Sequence, residues 1–292
     1  MTEINYNSAS DLRAFLDENG LGMRKKFGQN FLINPNVRKA LVDALEAEQG
    51  ETVWEIGPGL GSMTRLLLDA DLKIRAFEID PGFSGALKKL FAADSGFTLI
   101  EGDVLRTWPS QPPAPYLLGN LPYNIASALL ADFIEKGRYF KRMVVTVQRE
   151  VALRMTAAVD TKNYSSFTVL CASAYKVKLL SVIKGTSFYP RPNVDSQGVL
   201  LELRESRQNL PPVFFPLLRQ LFSSRRKTVK NNLDEFLSSR AKTAAKIESA
   251  SEILSQCAID SRLRPENLAV EDFAEIARRI SNFPAPAGFL NF

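Results

Sequence analysis

The sequence contains no histidine and only two cysteines among its 292 residues. Without imidazole, the chain cannot form a Ser-His-Asp or Cys-His nucleophile system, and it has no histidine to act as a general base. Cys171 and Cys257 lie outside any CxxC motif, which indicates two buried, reduced thiols. Too few ligands remain for the common zinc sites, and we expect no metal. Any reaction that this chain performs must therefore proceed without imidazole or zinc.

Long apolar runs are also absent. No segment reaches the length that spans a bilayer, and the first residues, MTEINYNSASDLRAF, lack the basic and apolar regions of a signal peptide. We therefore expect a cytoplasmic protein that makes no membrane contact. The length is sufficient for one large domain and a smaller one.

Basic residues are unevenly distributed, although the net charge is only +5. Five basic residues and no acidic one lie between Gly20 and Lys39, and nine basic residues against three acidic ones lie between Glu205 and Lys246. An exposed helix face explains any one such cluster. Two of them favour a polyanionic partner.

Between residues 50 and 204, short apolar segments alternate with helical patterns. The predicted strands are 52–56, 73–79, 97–101, 116–120 and 143–148, with helices near 61–70, 81–93, 125–137 and 149–158. Such alternation is typical of parallel strands joined by right-handed crossovers. Two later strands, 176–183 and 197–204, predict an antiparallel hairpin at one edge. The fold expected is an α/β, doubly wound, Rossmann-like sheet.

From Pro211 onward the strand signal disappears, and four amphipathic segments with a period of 3.6 residues predict helices. The change falls in RESRQNLPP, residues 204–212. We therefore predict an α/β domain at 1–204 and a small C-terminal all-helical domain at 205–292.

Three glycines follow the first predicted strand in VWEIGPGLGSMT: Gly57, Gly59 and Gly61. Ligands bind at this position of an open parallel sheet, and glycine lets the backbone approach them closely. Glu78 ends the next strand, 19 residues after Gly59. A carboxylate there can accept hydrogen bonds from both hydroxyls of a ribose. The loop and the acid together predict a nucleoside site.

Two classes of enzyme use such a loop. The dinucleotide fingerprint GxGxxG needs its third glycine at Ser62, whereas here it falls at Gly61. The spacing ExGxGxG, led by Glu55, is similar to the loop of S-adenosylmethionine-dependent methyltransferases. Asp103 follows the third strand, where a carboxylate can accept from an adenine amino group. Each acid alone is also explained as a helix cap or turn residue, but their common register favours S-adenosylmethionine as co-substrate.

The fourth strand ends in NLPYNIAS, residues 120–127, and a turn explains only the Asn and the Pro. The motif is similar to the [DNS]-P-P-[YFW] motif of enzymes that methylate the exocyclic amino group of a nucleobase. That nitrogen is a poor nucleophile. Two acceptors, Asn120 Oδ1 and the Pro122 carbonyl, would bind its protons and direct its lone pair at the methyl group. Tyr123 would stack on the flipped base, which is typically worth ~1–3 kcal/mol.

Seven sequence blocks occur in order along the chain. They are KKFGQNFL (25–32), EIGPGLGSMT (55–64), EID (78–80), GDVL (102–105), NLPYNIAS (120–127), QREVALR (148–154) and SRRKTVKNNL (224–233). Together they resemble the ribosomal RNA adenine N6-dimethyltransferases, over roughly residues 20 to 280. The resemblance implies dimethylation of two adjacent adenosines in the 3′-terminal hairpin of small-subunit rRNA, within a pre-30S-like particle. We expect the enzyme to be monomeric.

The resemblance also implies roles for further residues. Asn30 and Leu32 would contact the donor from an N-terminal segment folded over it. Phe188, in FYPRPNVDS, would sandwich the flipped adenine opposite Tyr123. The charge pattern, independently of the resemblance, predicts the RNA-binding residues: Arg225, Arg226, Lys227 and Lys230, which lie within six residues of one another in a helical pattern. At about 100° per residue, Arg226 and Lys230 would share one helix face, and such a face can follow a phosphate backbone.

Three alternatives remain. A large-subunit rRNA adenine dimethyltransferase of the macrolide-resistance type shares the catalytic blocks, but the long helical region favours the small-subunit enzyme. A non-enzymatic RNA-binding factor on the same fold has no need to keep Glu78, Asp103 and Asn120. A DNA adenine methyltransferase more commonly carries Asp-Pro-Pro-Tyr. The sequence departs from the family pattern in two places. The segment TKNYSSFTVL (161–170) stands where a Gly-Arg-Leu-like sequence is expected, and Ala128 stands where a proline is common.

Overall fold

The computed structural model describes residues 4–23, 29–205, 210–240 and 248–281. Several predictions fall outside these residues. They concern the basic residues 24–26, the first part of the KKFGQNFL block, residues 206–209 of the predicted linker, residues 243–247 of the third C-terminal helix, and the tail 284–292.

The described residues form the seven predicted strands, close to their predicted positions, and two further strands of two residues each. The strands are β1 (Phe31–Leu32), β2 (Thr52–Ile56), β3 (Lys73–Glu78), β4 (Phe97–Glu101), β5 (Tyr116–Asn120), β6 (Arg142–Gln148), β7 (Tyr175–Ile183), β8 (Phe188–Tyr189) and β9 (Ser196–Leu203). Seven of them form one sheet in the order β4-β3-β2-β5-β6-β9-β7. The first five strands in this order pair in parallel, and β9 is antiparallel to β6. The predicted α/β, Rossmann-like sheet is confirmed.

The sheet is apolar on both faces because helices cover both. Val53 and Trp54 on β2 are fully buried, as is Leu117 on β5. Near-continuous apolar strands of this kind are typical of parallel sheets between helical layers. The two late strands, β7 and β9, are neighbours at one edge, with β9 inside and β7 outermost.

The helices of the described residues include the C-terminal set that the sequence predicts. They are α1 (Ala9–Glu18), α2 (Pro35–Asp43), α3 (Ser62–Asp69), α4 (Pro81–Leu90), α5 (Val104–Thr107), α6 (Ala126–Glu135), α7 (Arg149–Met155), α8 (Ser166–Ala174), α9 (Phe214–Leu221), α10 (Val229–Arg240), α11 (Ala250–Gln256) and α12 (Val270–Ser281). Within the described ranges, none of them is long and apolar enough to cross a membrane.

Several elements were not predicted from the sequence: the two-residue strands β1 and β8, and the helices α1, α2, α5 and α8. The strands β1 and β8 pair antiparallel, with Leu32 opposite Phe188, and two-residue strands carry no periodicity. The helix α8 falls in the segment that departs from the family pattern. Its signal is a capping box, in which Ser165 and Thr168 satisfy each other's backbone N–H groups, as S-x-x-[EQ] sequences do elsewhere.

The chain divides into two compact units. One contains Met1–Ala152 and Lys176–Leu203, and the other contains Leu153–Tyr175 and Arg204–Phe292. The excursion 153–175 joins the C-terminal helices because α8 contacts α9 and α12. Within this second unit, the buried Tyr164 hydroxyl donates to the Leu268 carbonyl at 2.8 Å. The functional division into parts 1–204 and 205–292 stays a prediction.

Candidate active site

A cleft of about 920 Å³, partly open to solvent, lies at the carboxyl ends of β2, β3, β4 and β5. These ends meet at one edge because the strands are parallel and neighbouring. The cleft is lined by nine residues that the sequence singles out: Asn30, Leu32, Gly57, Gly59, Glu78, Asp103, Asn120, Pro122 and Tyr123. The structure therefore brings these nine predicted residues into one cavity, whereas Phe188 does not line it.

The glycine loop needs its glycines for conformation and for space. Gly57 and Gly59 have φ angles of +69° and +61°, in the left-handed region that side chains disfavour. A Cβ on Gly59 would lie 2.9 Å from the ring of Phe31, which belongs to β1. Glycine at position 59 therefore lets the loop backbone pack directly against the Phe31 ring.

Glu78 is the buried acid of the cleft. One carboxyl oxygen accepts from the Gly59 N–H at 3.1 Å and the other from the Asp80 N–H at 2.8 Å. Burial raises the pKa of Glu78 to about 7, although these two hydrogen bonds act in the opposite direction. Each carboxylate oxygen offers two lone pairs. Glu78 can therefore bind the loop and still accept from two ligand hydroxyls.

Glu55 lies beneath the same loop. It is fully buried, and its Oε2 accepts from the Thr64 hydroxyl at 2.6 Å. Among the described residues, its Oε1 has no hydrogen-bond partner. The pKa of Glu55 is raised to about 7, mainly by burial and in part by the nearby Glu78 carboxyl. The Glu55–Thr64 bond ties the end of β2 to the first turn of α3, on either side of the glycines.

Asn120 has a defined amide orientation. Its Nδ2 donates to the backbone carbonyl of Asn30 at 2.8 Å. Because the nitrogen is engaged there, Oδ1 points away from Asn30 and is the amide atom available as an acceptor. An oriented acceptor is what binding of an exocyclic amino group requires. The prediction that assigns Asn30 to the donor site did not anticipate this contact.

The carbonyl oxygen of Pro122 is already engaged. It accepts from the N–H groups of Ile125 and Ala126, both at 3.1 Å, at the start of α6. These two bonds use the lone pairs that the predicted contact with a base would need. Leu121, one residue earlier, also lines the cleft, and its N–H donates to the Thr146 carbonyl at 3.1 Å. The described backbone hydrogen bonds include none to the Leu121 carbonyl.

The two predicted stacking residues differ in exposure. Tyr123 is half-buried at the cleft, and its hydroxyl lies 2.6 Å from the Ser196 hydroxyl. Burial raises the pKa of the Tyr123 phenol. Phe188 is only 3% exposed and packs in the core with Leu32. The structure therefore brings Tyr123 into the cleft, whereas the sandwich by Phe188 stays a prediction.

Some cleft residues were not identified from the sequence. Ile79 and Val104 directly follow the two acids Glu78 and Asp103 and line the same cavity. Ile79 is 41% exposed, an unusual position for a large apolar side chain beside a buried acid. Asp103 Oδ1 accepts from the Leu105 N–H at 3.0 Å and so begins α5. The sequence contained a signal for these two residues, since an apolar side chain directly after each acid can pack against a nucleobase.

The N-terminal segment covers this side of the molecule. Leu12, Phe15 and Leu16 on α1 pack in one cluster with Leu60, which lies within the glycine loop, and with Phe83, in the first turn of α4. The burial of this apolar area stabilises the N-terminal segment, which we call the cover, in its position over the glycine loop.

Polar bonds hold the same cover. The Tyr6 hydroxyl donates to the Leu60 carbonyl at 2.9 Å, and burial raises the pKa of Tyr6 to about 12. The buried Arg38 donates to the carbonyls of Tyr6 and Leu32. The chain before β1 is thereby attached to the loop below it. No group of three or more acid or cysteine side chains among the described residues is arranged to hold a metal ion.

Comparison with known proteins decides the family. The profile of the family described as ribosomal RNA adenine dimethylase matches residues 20–276. The chain belongs to this family. It is 43% identical over 282 residues to the ribosomal RNA small subunit methyltransferase A of Treponema denticola, with 92% of this chain and 93% of that protein covered. The predicted family and enzyme class, an S-adenosylmethionine-dependent rRNA adenine dimethyltransferase, are confirmed.

Two solved structures have a fold similar to that of this chain. A dimethyladenosine transferase from Plasmodium falciparum superposes with a TM-score of 0.74 at 27% identity, over 85% of this chain and 96% of that chain. The 23S rRNA methyltransferase ErmE has a TM-score of 0.63 at 19% identity, over 86% of this chain and 99% of that chain. The second likeness shows the fold alone.

The basic residues of this family member lie mostly outside the helix that was expected to carry them. Arg225, Arg226 and Lys227 precede α10, which begins at Val229. The expectation that Arg226 and Lys230 share one helix face was wrong. Residues 222–226 form a turn and not a helix. This turn is held by the buried Asn232, whose Nδ2 donates to the Ser224 carbonyl at 3.2 Å. A helical sequence pattern does not reveal such a contact.

Three of the four basic residues have acidic partners. The ion pairs are Arg225 with Glu266 at 2.7 Å, Lys230 with Asp234 at 2.7 Å, and Lys227 with Glu235. Arg226 is exposed, and the described residues include no ion pair of its side chain. Exposed pairs of this kind are worth little, and salt screens them. A phosphate can therefore replace any of these three carboxylates.

Proposed function

We propose that this chain transfers methyl groups from S-adenosylmethionine to N6 of two adjacent adenosines in the 3′-terminal hairpin of small-subunit rRNA. The substrate is rRNA within a pre-30S-like particle, and the enzyme acts as a cytoplasmic monomer. One observation carries the proposal: the cleft that holds Gly59 and Glu78 also contains Asn120, whose amide is oriented by the Asn30 carbonyl. The name of the Treponema denticola relative supports the small subunit as target.

The cleft carries acceptors that match the polar groups of the donor. Glu78 would accept from the two ribose hydroxyls, and Asp103 would accept from the adenine amino group through Oδ2. Ile79 and Val104 would contact the adenine ring, and Asn30 and Leu32 would cover the donor from above. S-adenosylmethionine supplies an electrophilic methyl group on a sulfonium ion.

Catalysis would depend on two acceptors at the target nitrogen. Asn120 Oδ1 is one, and we assign the second to the Leu121 carbonyl, because the Pro122 carbonyl already accepts two hydrogen bonds. Both acceptors bind N–H protons, so the nitrogen lone pair points along the remaining direction, toward the methyl group. The nitrogen attacks this methyl carbon as the carbon–sulfur bond breaks, and its extra proton leaves to water. Positioning and electrostatics replace the missing general base.

The target base would leave its helix and stack on Tyr123. Phe188 is the proposed second face of the sandwich. Its ring is 3% exposed, so it must turn out of the core when the base enters. The RNA would also contact Arg225, Arg226, Lys227 and Lys230, where phosphates would exchange with the acidic partners.

The proposal is tested with labelled S-adenosylmethionine and purified small subunits that lack the modification. We expect the label at two adjacent adenosines near the 3′ end of the small-subunit rRNA, and labelling that is about a hundredfold slower or more with the Asn120→Ala variant. Label in large-subunit rRNA would identify the macrolide-resistance type of enzyme. The absence of methyl transfer to any rRNA, with the donor still bound, would favour a non-enzymatic RNA-binding factor.

A further inference from the structure

The hydroxyl of Tyr123 is attached to the central sheet. Its partner, the Ser196 hydroxyl, lies 2.6 Å away. Ser196 is fully buried and begins β9, where it pairs in register with Gln148 of β6. Since β9 has a neighbouring strand on each side, the position of Ser196 is set by the sheet and not by a loop.

The backbone of Tyr123, in contrast, does not belong to a strand of the sheet. It lies in the turn between β5 and α6 and is half-buried. A tyrosine in a turn can rotate about two side-chain torsions. A hydrogen bond at the far end of the ring fixes the direction of the ring axis. Because a phenol O–H prefers the plane of its ring, the same bond also favours one ring orientation.

We propose that Ser196 is a positioning residue, which holds the Tyr123 ring in the plane against which the target adenine stacks. This inference rests on the proposed function. Ser196 does not line the cleft, so it acts only through Tyr123. Nothing in the local sequence joins the two residues, which are 73 positions apart.

The chemistry of dimethylation makes this stack most important in the second step. The unmodified amino group offers two N–H protons to the two acceptors, whereas the monomethylated nitrogen offers only one. With one hydrogen bond lost, the base is held more by its stacking face. A loosely held ring should therefore impair the second methyl transfer more than the first.

The test compares Ser196→Ala, Tyr123→Phe and the double variant on unmethylated small subunits. The readouts are kcat and the ratio of N6-monomethyladenosine to N6,N6-dimethyladenosine. We expect kcat to fall about three- to tenfold, the scale of one neutral hydrogen bond, and monomethyladenosine to accumulate. The double variant should match the single ones, because both remove the same interaction. Donor affinity and melting temperature measure the integrity of the fold.

The matched control is Ser173→Ala, which removes a serine hydroxyl that donates to the Leu170 carbonyl at 2.7 Å on α8. It should leave the product ratio unchanged. A wild-type ratio in both single variants, or additive effects in the double variant, would overturn the positioning role. If Ser196→Ala does not fold, the half-buried Tyr123→Phe decides the outcome alone. Absence of any methyladenosine with the wild-type enzyme would instead overturn the proposed function.

Discussion

The cleft and the basic segment before α10 both carry charged groups, but these groups have different surroundings. In the cleft, Glu78 is 5% exposed and both of its oxygens accept backbone N–H groups. In the basic segment, the side chains of Arg225 and Lys227 are 42% and 45% exposed and bind carboxylates that water can replace. One set of charges is fixed by the fold, and the other is free to exchange partners.

The difference indicates where substitutions matter. A buried group that loses its partner has no water to replace it, so the full cost of desolvation remains. An exposed ion pair contributes on the order of 0–1 kcal/mol and weakens with salt. Changes in the cleft should therefore be large and specific, whereas changes in the basic segment should be small and dependent on salt.

The largest effect is expected at Asn120. Asn120→Ala removes the oriented acceptor, and kcat should fall about a hundredfold or more, as for other oriented groups that act in the transition state. Donor affinity should change little. Single-turnover methylation of small subunits and calorimetry with the donor measure the two quantities. The exposed neighbour Asn124→Ala is the control, and a rate for Asn120→Ala near that of the control would contradict the role.

Glu78 should control donor binding. Glu78→Ala removes the ribose acceptor and should weaken S-adenosylmethionine binding by ~1.5–3 kcal/mol, the scale of a hydrogen bond to a charged group. Because burial raises the pKa of Glu78 to about 7, the carboxylate form is lost below that pH. Affinity in the wild type should therefore rise between pH 6 and pH 8.

Calorimetry at three pH values tests this second part. The donor has an ionisable amino group of its own, and the Glu78→Gln variant shows that contribution alone. Equal pH profiles for the wild type and Glu78→Gln would mean that Glu78 does not titrate in this range.

Glu55 should lower stability at high pH. In the folded protein, burial raises its pKa from 4.5 to about 7, so the folded chain holds more protons than the unfolded chain between these values. The free energy of unfolding then falls as pH rises through this window. Glu55→Gln cannot ionise, and its stability relative to the wild type should improve by about 2–3 kcal/mol from pH 5 to pH 8.

Urea unfolding at pH 5, 6, 7 and 8 gives the difference directly. The exposed Glu51→Gln variant controls for the loss of one negative charge. A constant difference between Glu55→Gln and the wild type across this range would show that Glu55 is not ionised on unfolding as described.

The smallest effect is expected in the basic segment. Each phosphate contact contributes a slope of about −0.7 to −0.9 to the dependence of log K on log salt. Replacing Arg226, Lys227 and Lys230 with Ala should flatten the slope for subunit binding by about one to three contacts. Arg226→Ala alone should account for about one contact, since no acid holds its side chain among the described residues. Donor affinity should stay the same.

Binding to small subunits across a salt series measures this slope. Arg262→Ala, an exposed arginine paired with Asp260, is the matched control. Parallel slopes for the triple variant and the wild type would mean that the RNA binds elsewhere.

Much of the fold followed from local patterns. The alternation of apolar segments predicted the parallel strands, and the glycine spacing with Glu78 and Asp103 predicted one ligand-binding edge. The helix α8 was missed because its signal is a single capping box, and β1 and β8 were missed because they are two residues long. The segment that contains α8 also changes how the chain divides into compact units. Residues 153–175 belong to the same unit as the C-terminal helices, because they contact residues that are distant in sequence.

Four residues at the strand ends of the cleft were predictable from local sequence patterns alone. Parallel strands bring their carboxyl ends to one edge wherever an apolar strand is followed by a polar residue, so a local pattern is sufficient to predict Gly57, Glu78, Asp103 and Asn120.

The partners of several of the predicted side chains, in contrast, depend on contacts between segments that are distant in sequence. The Asn120 amide is oriented by a carbonyl 90 residues away, and the Tyr123 hydroxyl is held by a serine 73 residues away. Arg225 binds Glu266, 41 residues along the chain. The reason is physical: a hydrogen bond depends on distance and direction between two atoms, and the packing of distant segments sets both.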